Sequence, residues 1–172
     1  LMEISHKLGA DPDRVVSFHS LSKRSNLPGL RSGFAASGEK NIKQMKQLRA
    51  YSGAPIPEPL QHVSASVWDD EDHVIQNREI YKKKYKLADT IFDGFDGYLS
   101  PEAGFFLWLD VDNGEKTALE LWQTFGVRVL PGKYLAKDLN GQSPGDRFIR
   151  VAMVSELEET KEGLNKIREF LD

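Results

Sequence analysis

A polar loop near the start of the chain reads Ser20-Leu21-Ser22-Lys23-Arg24-Ser25-Asn26-Leu27-Pro28-Gly29-Leu30-Arg31-Ser32-Gly33. Two short β-type segments flank it, and the sequence predicts strands at Val15-Val16-Ser17-Phe18 and at Gly33-Phe34-Ala35-Ala36. Loops of this length in compact domains often carry function, although serine, lysine and glycine are also typical of a loop that is merely solvated. The chemistry of the side chains therefore has to separate these two interpretations.

Four side chains of this loop form a set suited to a phosphorylated aldehyde cofactor. The aldehyde needs an amine that can form a Schiff base, and Lys23 follows the end of the first predicted strand. The phosphate needs donors near that amine, and hydroxyls and a guanidinium are suitable because arginine pairs with phosphate oxygens in a forked geometry. Ser20, Ser22 and Arg31 supply these donors on the same loop.

The order of these residues resembles the pyridoxal-phosphate attachment signature of the class I aminotransferases, which belong to the large fold-type I family. In that family the lysine binds the cofactor aldehyde, and the serine three residues before it and the arginine eight residues after it bind the phosphate. The resemblance implies that Lys23 is the catalytic lysine and that Ser20 and Arg31 bind pyridoxal 5'-phosphate, with Ser22 as a further candidate. The residue after the arginine is commonly apolar in the family and is Ser32 here, which bears on the subfamily.

Later segments are similar to the C-terminal half of the same family. They are Pro101-Glu102-Ala103-Gly104-Phe105-Phe106-Leu107-Trp108, Val129-Leu130-Pro131-Gly132 and Arg147-Phe148-Ile149-Arg150-Val151-Ala152. In the family the arginine of that late strand holds the substrate α-carboxylate, which points to Arg150, and a structural salt bridge is its alternative role. Arg147 is the competing candidate. If the strand alternates, Arg147 and Arg150 point to opposite faces, and at most one of them faces the site.

The resemblance implies an α/β fold that forms the C-terminal part of a fold-type I aminotransferase. Residues 1–55 are expected to be the tail of the large α/β/α cofactor-binding domain, and residues 56–172 the linker helices and the small α+β C-terminal domain. Three prolines between Pro55 and Pro59 mark this boundary. Because the chain opens inside a helical pattern that stops at Gly9, we expect a fragment that is inactive alone and holds the cofactor weakly or not at all.

Hydrophobic periodicity predicts the remaining elements. Helices are expected over Glu39–Tyr51, Pro59–Trp68, from about Asp69 to Phe95, Thr117–Phe125 and Leu157–Leu171, and strands over Phe105–Val111, Val127–Leu130 and Arg147–Val154. Ser155 and Glu158 have the spacing of a capping box for the last helix.

Composition excludes several other classes of function. The 172 residues include 23 basic and 26 acidic side chains, and the net charge of −3 argues against binding of nucleic acid through a basic surface. The absence of cysteine excludes disulfides, and the four histidines lack metal-ligand spacing, so no metal site is expected. Because no apolar run approaches the roughly 20 residues of a membrane-spanning helix, we expect no membrane partner. The absence of cysteine suits a reducing compartment, and we expect a cytoplasmic location.

The resemblance implies transfer of an amino group between an amino acid and a 2-oxo acid. The sequence from His19 to Gly29 is most similar to that of the succinyldiaminopimelate aminotransferases, which act in lysine biosynthesis. In this family the amino donor is usually glutamate, and its product is 2-oxoglutarate. The full-length protein is expected to be a homodimer, as is typical of the family. Two other interpretations stay open, namely a pyridoxal-phosphate-dependent lyase of the same fold and a non-catalytic, aminotransferase-like regulatory domain.

Overall fold

A computed structural model describes residues 2–172, which divide into one unit that ends at Asn77 and a second unit that spans Arg78–Asp172. Leu1, where the expected tail of the large domain begins, lies outside the described residues. The assignment of residues 1–55 and 56–172 to two domains of a larger fold stays a prediction.

The first unit consists mainly of helices around one small sheet. Its elements are α1 (Met2–Lys7), β1 (Ser17–Ser20), α2 (Leu21–Arg24), β2 (Gly33–Ala36), α3 (Glu39–Tyr51), α4 (Glu58–Asp69) and the beginning of α5 (Asp72–Ile91). The predicted bounds of α3 are confirmed, and those of α4 differ by one residue at each end. Gly9, at which the first helix was expected to stop, has a positive φ of 63° after α1.

The polar loop connects two strands that pair with each other. β1 and β2 are antiparallel, with Ser17 opposite Ala36 and Ser20 opposite Gly33. A Cβ atom on Gly33 would lie 2.4 Å from the carbonyl oxygen of His19, so this close approach of the strands requires glycine. The predicted first strand, 15–18, is wrong by two residues because its bounds follow the pairing with β2. Between the strands the chain forms α2 and a 3-10 turn at Pro28–Leu30.

The second unit places helices against one face of a three-stranded antiparallel sheet. Its elements after α5 are β3 (Phe106–Asp110), α6 (Gly114–Phe125), β4 (Leu130–Pro131), β5 (Phe148–Ala152) and α7 (Leu157–Leu171), and the strand order is β3-β5-β4. The buried core consists of Ala88, Phe92, Leu107, Leu109, Ala118, Leu121, Ile149, Val151, Met153, Leu164 and Ile167. Because strand residues alternate between faces, the opposite face of the sheet carries Phe106, Trp108 and Arg150.

Two local predictions in this unit are wrong. The strand expected at Val127–Leu130 is reduced to Leu130–Pro131, because the N–H of Val127 bonds to the Leu121 carbonyl (3.3 Å) as part of the end of α6. The capping box is absent as well, since the N-cap of α7 is Glu156 and it makes no capping bond through its side chain. The carbonyl of Ser155 instead accepts hydrogen bonds from Lys84 and Thr160.

Two glycines of the second unit are expected to respond in opposite directions to the same substitution. Gly126 ends α6 with a φ of +68°, so Gly126→Ala should lower the free energy of unfolding by about 1 kcal/mol. Gly163 lies inside α7 with open space around it, so Gly163→Ala should raise the free energy of unfolding by about 0.5–1 kcal/mol. Urea unfolding of both variants measures the difference, and shifts of the same sign would contradict this account.

Candidate cofactor site

Ser20 joins the end of β1 to the start of α2. Its backbone is extended (φ −140°, ψ 130°), and its Oγ accepts a hydrogen bond from the N–H of Ser22 at 3.2 Å, which makes it the N-cap of α2. Leu21 is fully buried, and its N–H donates to the carbonyl of Ser32 at 3.1 Å. Burial and hydrogen bonds therefore fix the start of this short helix relative to the far end of the loop.

Lys23 is the third of the four residues of α2 and is exposed. The helix ends directly after it, where the carbonyl of Leu21 accepts hydrogen bonds from the N–H groups of Ser25 (3.0 Å) and Leu27 (3.2 Å). The helix thus presents the lysine amine at the surface of the first unit, one turn beyond the hydroxyl of Ser20.

Arg31 closes the 3-10 turn in the left-handed conformation (φ 54°, ψ 34°). Its guanidinium donates a hydrogen bond to the carbonyl of Pro28 at 2.8 Å, and the residue is exposed. An arginine has five N–H donors, so this bond orients the guanidinium while leaving donors for a ligand. The structure therefore brings Ser20, Ser22, Lys23 and Arg31 onto one folded loop.

Arg24, to which the sequence assigned no role, anchors the loop to α4. Its guanidinium donates to the carbonyls of Val67 (3.1 Å), Trp68 (3.2 Å) and Asp70 (3.4 Å) and forms an ion pair with Glu71. It also lies over the ring of Trp68, 4.9 Å from its centroid. The only signal for this role in the sequence is the position of Arg24 next to Lys23, because its partners lie 43–47 residues further along the chain.

An aromatic cluster packs the strand pair against α4. His19 and Phe34, which are opposite each other in β1 and β2, stack with their ring centroids 4.8 Å apart and their planes at 16°. Phe34 meets Trp68 edge to face at 4.9 Å, and such geometry is favourable between aromatic rings. These ring contacts therefore hold the strand pair β1–β2, with Ser20 at the end of β1, against α4.

Arg150, the candidate for binding the substrate carboxylate, lies in β5 of the second unit and is half-buried. Its guanidinium lies 4.2 Å from the centroid of the Phe106 ring, and within residues 2–172 it forms no ion pair or hydrogen bond. The salt bridge considered for Arg150 is found instead at Arg147, which pairs with Asp110 at 3.1 Å. The expected alternation does not apply to Arg147, because it precedes the first residue of β5.

Several groups in the second unit have shifted pKa values for reasons unrelated to the loop, and two of them are largely shielded from solvent. Burial lowers the pKa of Lys84, and the nearby carboxylate of Glu156 opposes this shift. Burial and the hydrogen bond to Asp89 (2.6 Å) raise the pKa of Tyr98 above its usual value. Residues 2–172 contain no cluster of three or more His, Asp or Glu side chains that could hold a metal ion. No helix in this range is long and apolar enough to cross a membrane.

Comparison with known proteins shows the family of the chain. The sequence profile of the family described as aminotransferase class I and II matches residues 2–167, and the chain belongs to this family. A crystal structure of an aminotransferase from Neisseria meningitidis is 35% identical with a TM-score of 0.90, and the match covers 98% of this chain and 43% of that one. The expected fold class, part of a fold-type I aminotransferase, is confirmed.

Two curated relatives are named for different activities. The chain is 31% identical over 171 residues to 1-aminocyclopropane-1-carboxylate synthase 6 of Arabidopsis thaliana. The match covers 92% of this chain and 34% of the relative. It is 26% identical over 160 residues to the LL-diaminopimelate aminotransferase of Dehalococcoides mccartyi, and that match covers 90% of this chain and 40% of the relative. The chain thus spans well under half the length of these relatives.

The chemistry of the loop fits pyridoxal phosphate, the cofactor of this family. The Ser20 oxygen accepts one hydrogen bond, and its O–H group can still donate to a phosphate oxygen. The guanidinium of Arg31 adds charge-assisted donors, which are roughly twice as strong as neutral ones. An amine, two hydroxyls and a guanidinium on one loop are the donor set that a phosphorylated aldehyde requires.

Proposed function

We propose that this chain is part of an aminotransferase that moves an amino group between an amino acid and a 2-oxo acid with the help of pyridoxal phosphate. The observation that carries the proposal is the folded loop between β1 and β2, on which Ser20, Ser22, Lys23 and Arg31 lie together. Membership in the aminotransferase family supports it.

Each side chain of the loop has a distinct role in this proposal. The hydroxyls of Ser20 and Ser22 and the guanidinium of Arg31 hold the phosphate. Lys23 holds the cofactor through its aldehyde carbon and, when its amine is released, carries a proton on Nζ to and from the substrate Cα. When bound, the cofactor ring supplies an electron sink that neither the loop nor any other side chain provides.

Arg150 binds the α-carboxylate of the substrate in this proposal. Its guanidinium has a ring beneath it and no carboxylate partner among residues 2–172, so its donors can pair with an incoming carboxylate. Arg147 is the poorer choice because Asp110 already occupies its guanidinium. A forked pair between guanidinium and carboxylate adds geometric selection to the charge attraction.

We further propose succinyldiaminopimelate as the amino compound and 2-oxoglutarate as the 2-oxo acid of the full-length protein, with a place in lysine biosynthesis and a homodimeric assembly. The sequence from His19 to Gly29 supports this choice, and so does the similarity to an LL-diaminopimelate aminotransferase. A lyase of the same fold is the second candidate, favoured by the similarity to a 1-aminocyclopropane-1-carboxylate synthase. An assay with and without a 2-oxo acid separates the two, because only amino transfer requires the acceptor.

The proposed role of Lys23 predicts where the cofactor attaches. Incubation of the full-length protein with pyridoxal phosphate, followed by borohydride reduction, should leave an adduct mainly at Lys23, and Lys23→Ala should abolish it, since the amine is then missing. Lys43→Ala, which removes an exposed lysine from α3 of the same unit, is the matched control and should leave the adduct unchanged. Mass spectrometry of proteolytic peptides measures the site. An adduct spread evenly over the exposed lysines, or retained in Lys23→Ala, would count against the proposal.

A further inference from the structure

We propose that Arg24 is a positioning residue for Lys23, an inference that rests on the function proposed above. Arg24 touches neither substrate nor cofactor in this account. It fixes the rotation of α2, and thereby the direction in which the lysine amine leaves the helix.

The contacts of Arg24 hold its guanidinium firmly. Its side chain is only 17% exposed, whereas Lys23, directly before it, is exposed. One terminal nitrogen donates to the Val67 carbonyl and to Ser25 Oγ, and the other donates to the carbonyls of Trp68 and Asp70 and to the Glu71 carboxylate. With both terminal nitrogens bonded, the guanidinium cannot rotate without losing several hydrogen bonds.

The acceptors of Arg24 are those that a helix end leaves open. The last four carbonyls of an α-helix have no partner within the helix and carry a partial negative charge, which a cation stabilises. Val67 and Trp68 lie in the last turn of α4 (Glu58–Asp69), and Asp70 follows it. The ring of Trp68 adds a cation–π contact at 4.9 Å. Arg24 therefore caps α4 from another part of the chain.

This anchor matters to Lys23 because α2 has only four residues. A single helical turn is not stable by itself, so contacts outside it must fix its orientation. Successive helical residues point about 100° apart, since a turn contains about 3.6 residues. Leu21, held in the core, and Arg24, held on α4, are three residues apart and therefore lie on the same side of α2, which leaves Lys23 to point away from it.

The pairing with Glu71 indicates that Arg24 acts through geometry. The carboxylate offsets the charge of the guanidinium, so the net field that Arg24 adds at Lys23 is small. A lysine at position 24 would keep the positive charge but not the planar fork that reaches several acceptors at once. The two effects can therefore be separated by substitution.

The experiment compares Arg24→Lys and Arg24→Met with the unchanged sequence, all three in the full-length protein of which this chain is proposed to be part. The rate of formation of the borohydride-stable adduct at Lys23 is measured against pyridoxal phosphate concentration by peptide mass spectrometry. We expect both variants to lower the maximal rate at least about tenfold, because small misplacements of reacting groups are costly. The half-saturating concentration should stay the same, since Ser20 and Arg31 still hold the phosphate. Adducts at the exposed Lys82 and Lys83 serve as internal standards.

Arg49→Met is the matched control. Arg49 is an exposed arginine of the same unit, and its guanidinium bonds to one backbone carbonyl, that of Ala54 (3.2 Å). Its loss should leave the rate at Lys23 within about twofold, because surface changes away from a site have small effects.

The outcomes distinguish this inference from the proposed function. If the unchanged full-length protein shows no preference for Lys23, the proposed function fails and the role of Arg24 fails with it. If the unchanged full-length protein reacts at Lys23 and a folded Arg24→Lys variant reacts at the same maximal rate, only the role of Arg24 is overturned. Circular dichroism identifies folded variants, and Arg24→Lys, which keeps charge and length, decides the question if Arg24→Met unfolds.

Discussion

Replacing Leu109 with alanine is expected to lower the free energy of unfolding of the second unit by about 2–5 kcal/mol. Leu109 is fully buried in β3, next to Ile149 of the neighbouring strand β5, and it belongs to the core between the sheet and its helices. Truncation removes the transfer free energy of the side chain and leaves a cavity. The loss is large because the paired strand β5 and the helices packed on this face of the sheet limit its collapse.

Leu99→Ala is the matched control for this prediction. Leu99 is 83% exposed in the same unit, so its truncation should change the free energy of unfolding by less than about 0.5 kcal/mol. Urea unfolding followed by far-ultraviolet circular dichroism measures both variants. Equal losses in the two would show that the sheet face containing Leu109 is not the core of this unit.

Replacing Lys84 with alanine is expected to lower the free energy of unfolding by about 2–4 kcal/mol. Only 4% of Lys84 is exposed, and its ammonium group donates hydrogen bonds to the carbonyls of Met153 (2.9 Å) and Ser155 (2.5 Å). The Ser155 carbonyl keeps a bond from Thr160, but the Met153 carbonyl loses this donor. The apolar stem of the lysine is lost as well. Lys83→Ala, at the adjacent exposed position, should have almost no effect.

The same lysine predicts a dependence of stability on pH. Burial lowers the pKa of Lys84 in the folded state below its ordinary value of 10.5, so the unfolded chain binds more protons between these two pKa values. The free energy of unfolding of the unchanged chain should therefore rise relative to that of Lys84→Met as the pH increases through this window. Unfolding curves at several alkaline pH values measure the difference. A difference that falls with rising pH would contradict the assignment of burial as the main cause.

The elements that the sequence predicts well are those whose signals are local. The bounds of α3 and α7 match the prediction, because apolar residues recur at about the helical period of 3.6 residues within each segment. The end of α6 at Gly126 was also predictable, since a glycine in the left-handed region is a common stop. These features depend on neighbours only three or four residues away.

The elements that depend on distant partners are predicted less well. The bounds of β1 follow its pairing with β2, and β4 is short because only Leu130 and Pro131 pair with β5. The helical turn α2 is hidden within a loop of polar residues, because distant contacts made by Leu21 and Arg24 stabilise it. No window of the local sequence contains these contacts.

The candidate site likewise contains residues that the sequence could identify and residues that it could not. Ser20, Ser22, Lys23 and Arg31 could be identified because their order along the chain is itself the signal. Arg24 could not, since its acceptors are found only once α4 is packed against the loop. The ring of Phe106 beneath Arg150 was also missed, because it depends on the register of β3 against β5.

The strand order β3-β5-β4 has a consequence for how the protein is made. The central strand of this sheet, Phe148–Ala152, is the last of its three strands to leave the ribosome, and β3 and β4 are each hydrogen-bonded to it. Because translation proceeds at about 5–20 residues per second, β5 is synthesised only seconds after β3, and the apolar face of β3 is unpaired during that time. During this interval Leu107 and Leu109 lack the strand that pairs with β3, and we expect them to be accessible to chaperones.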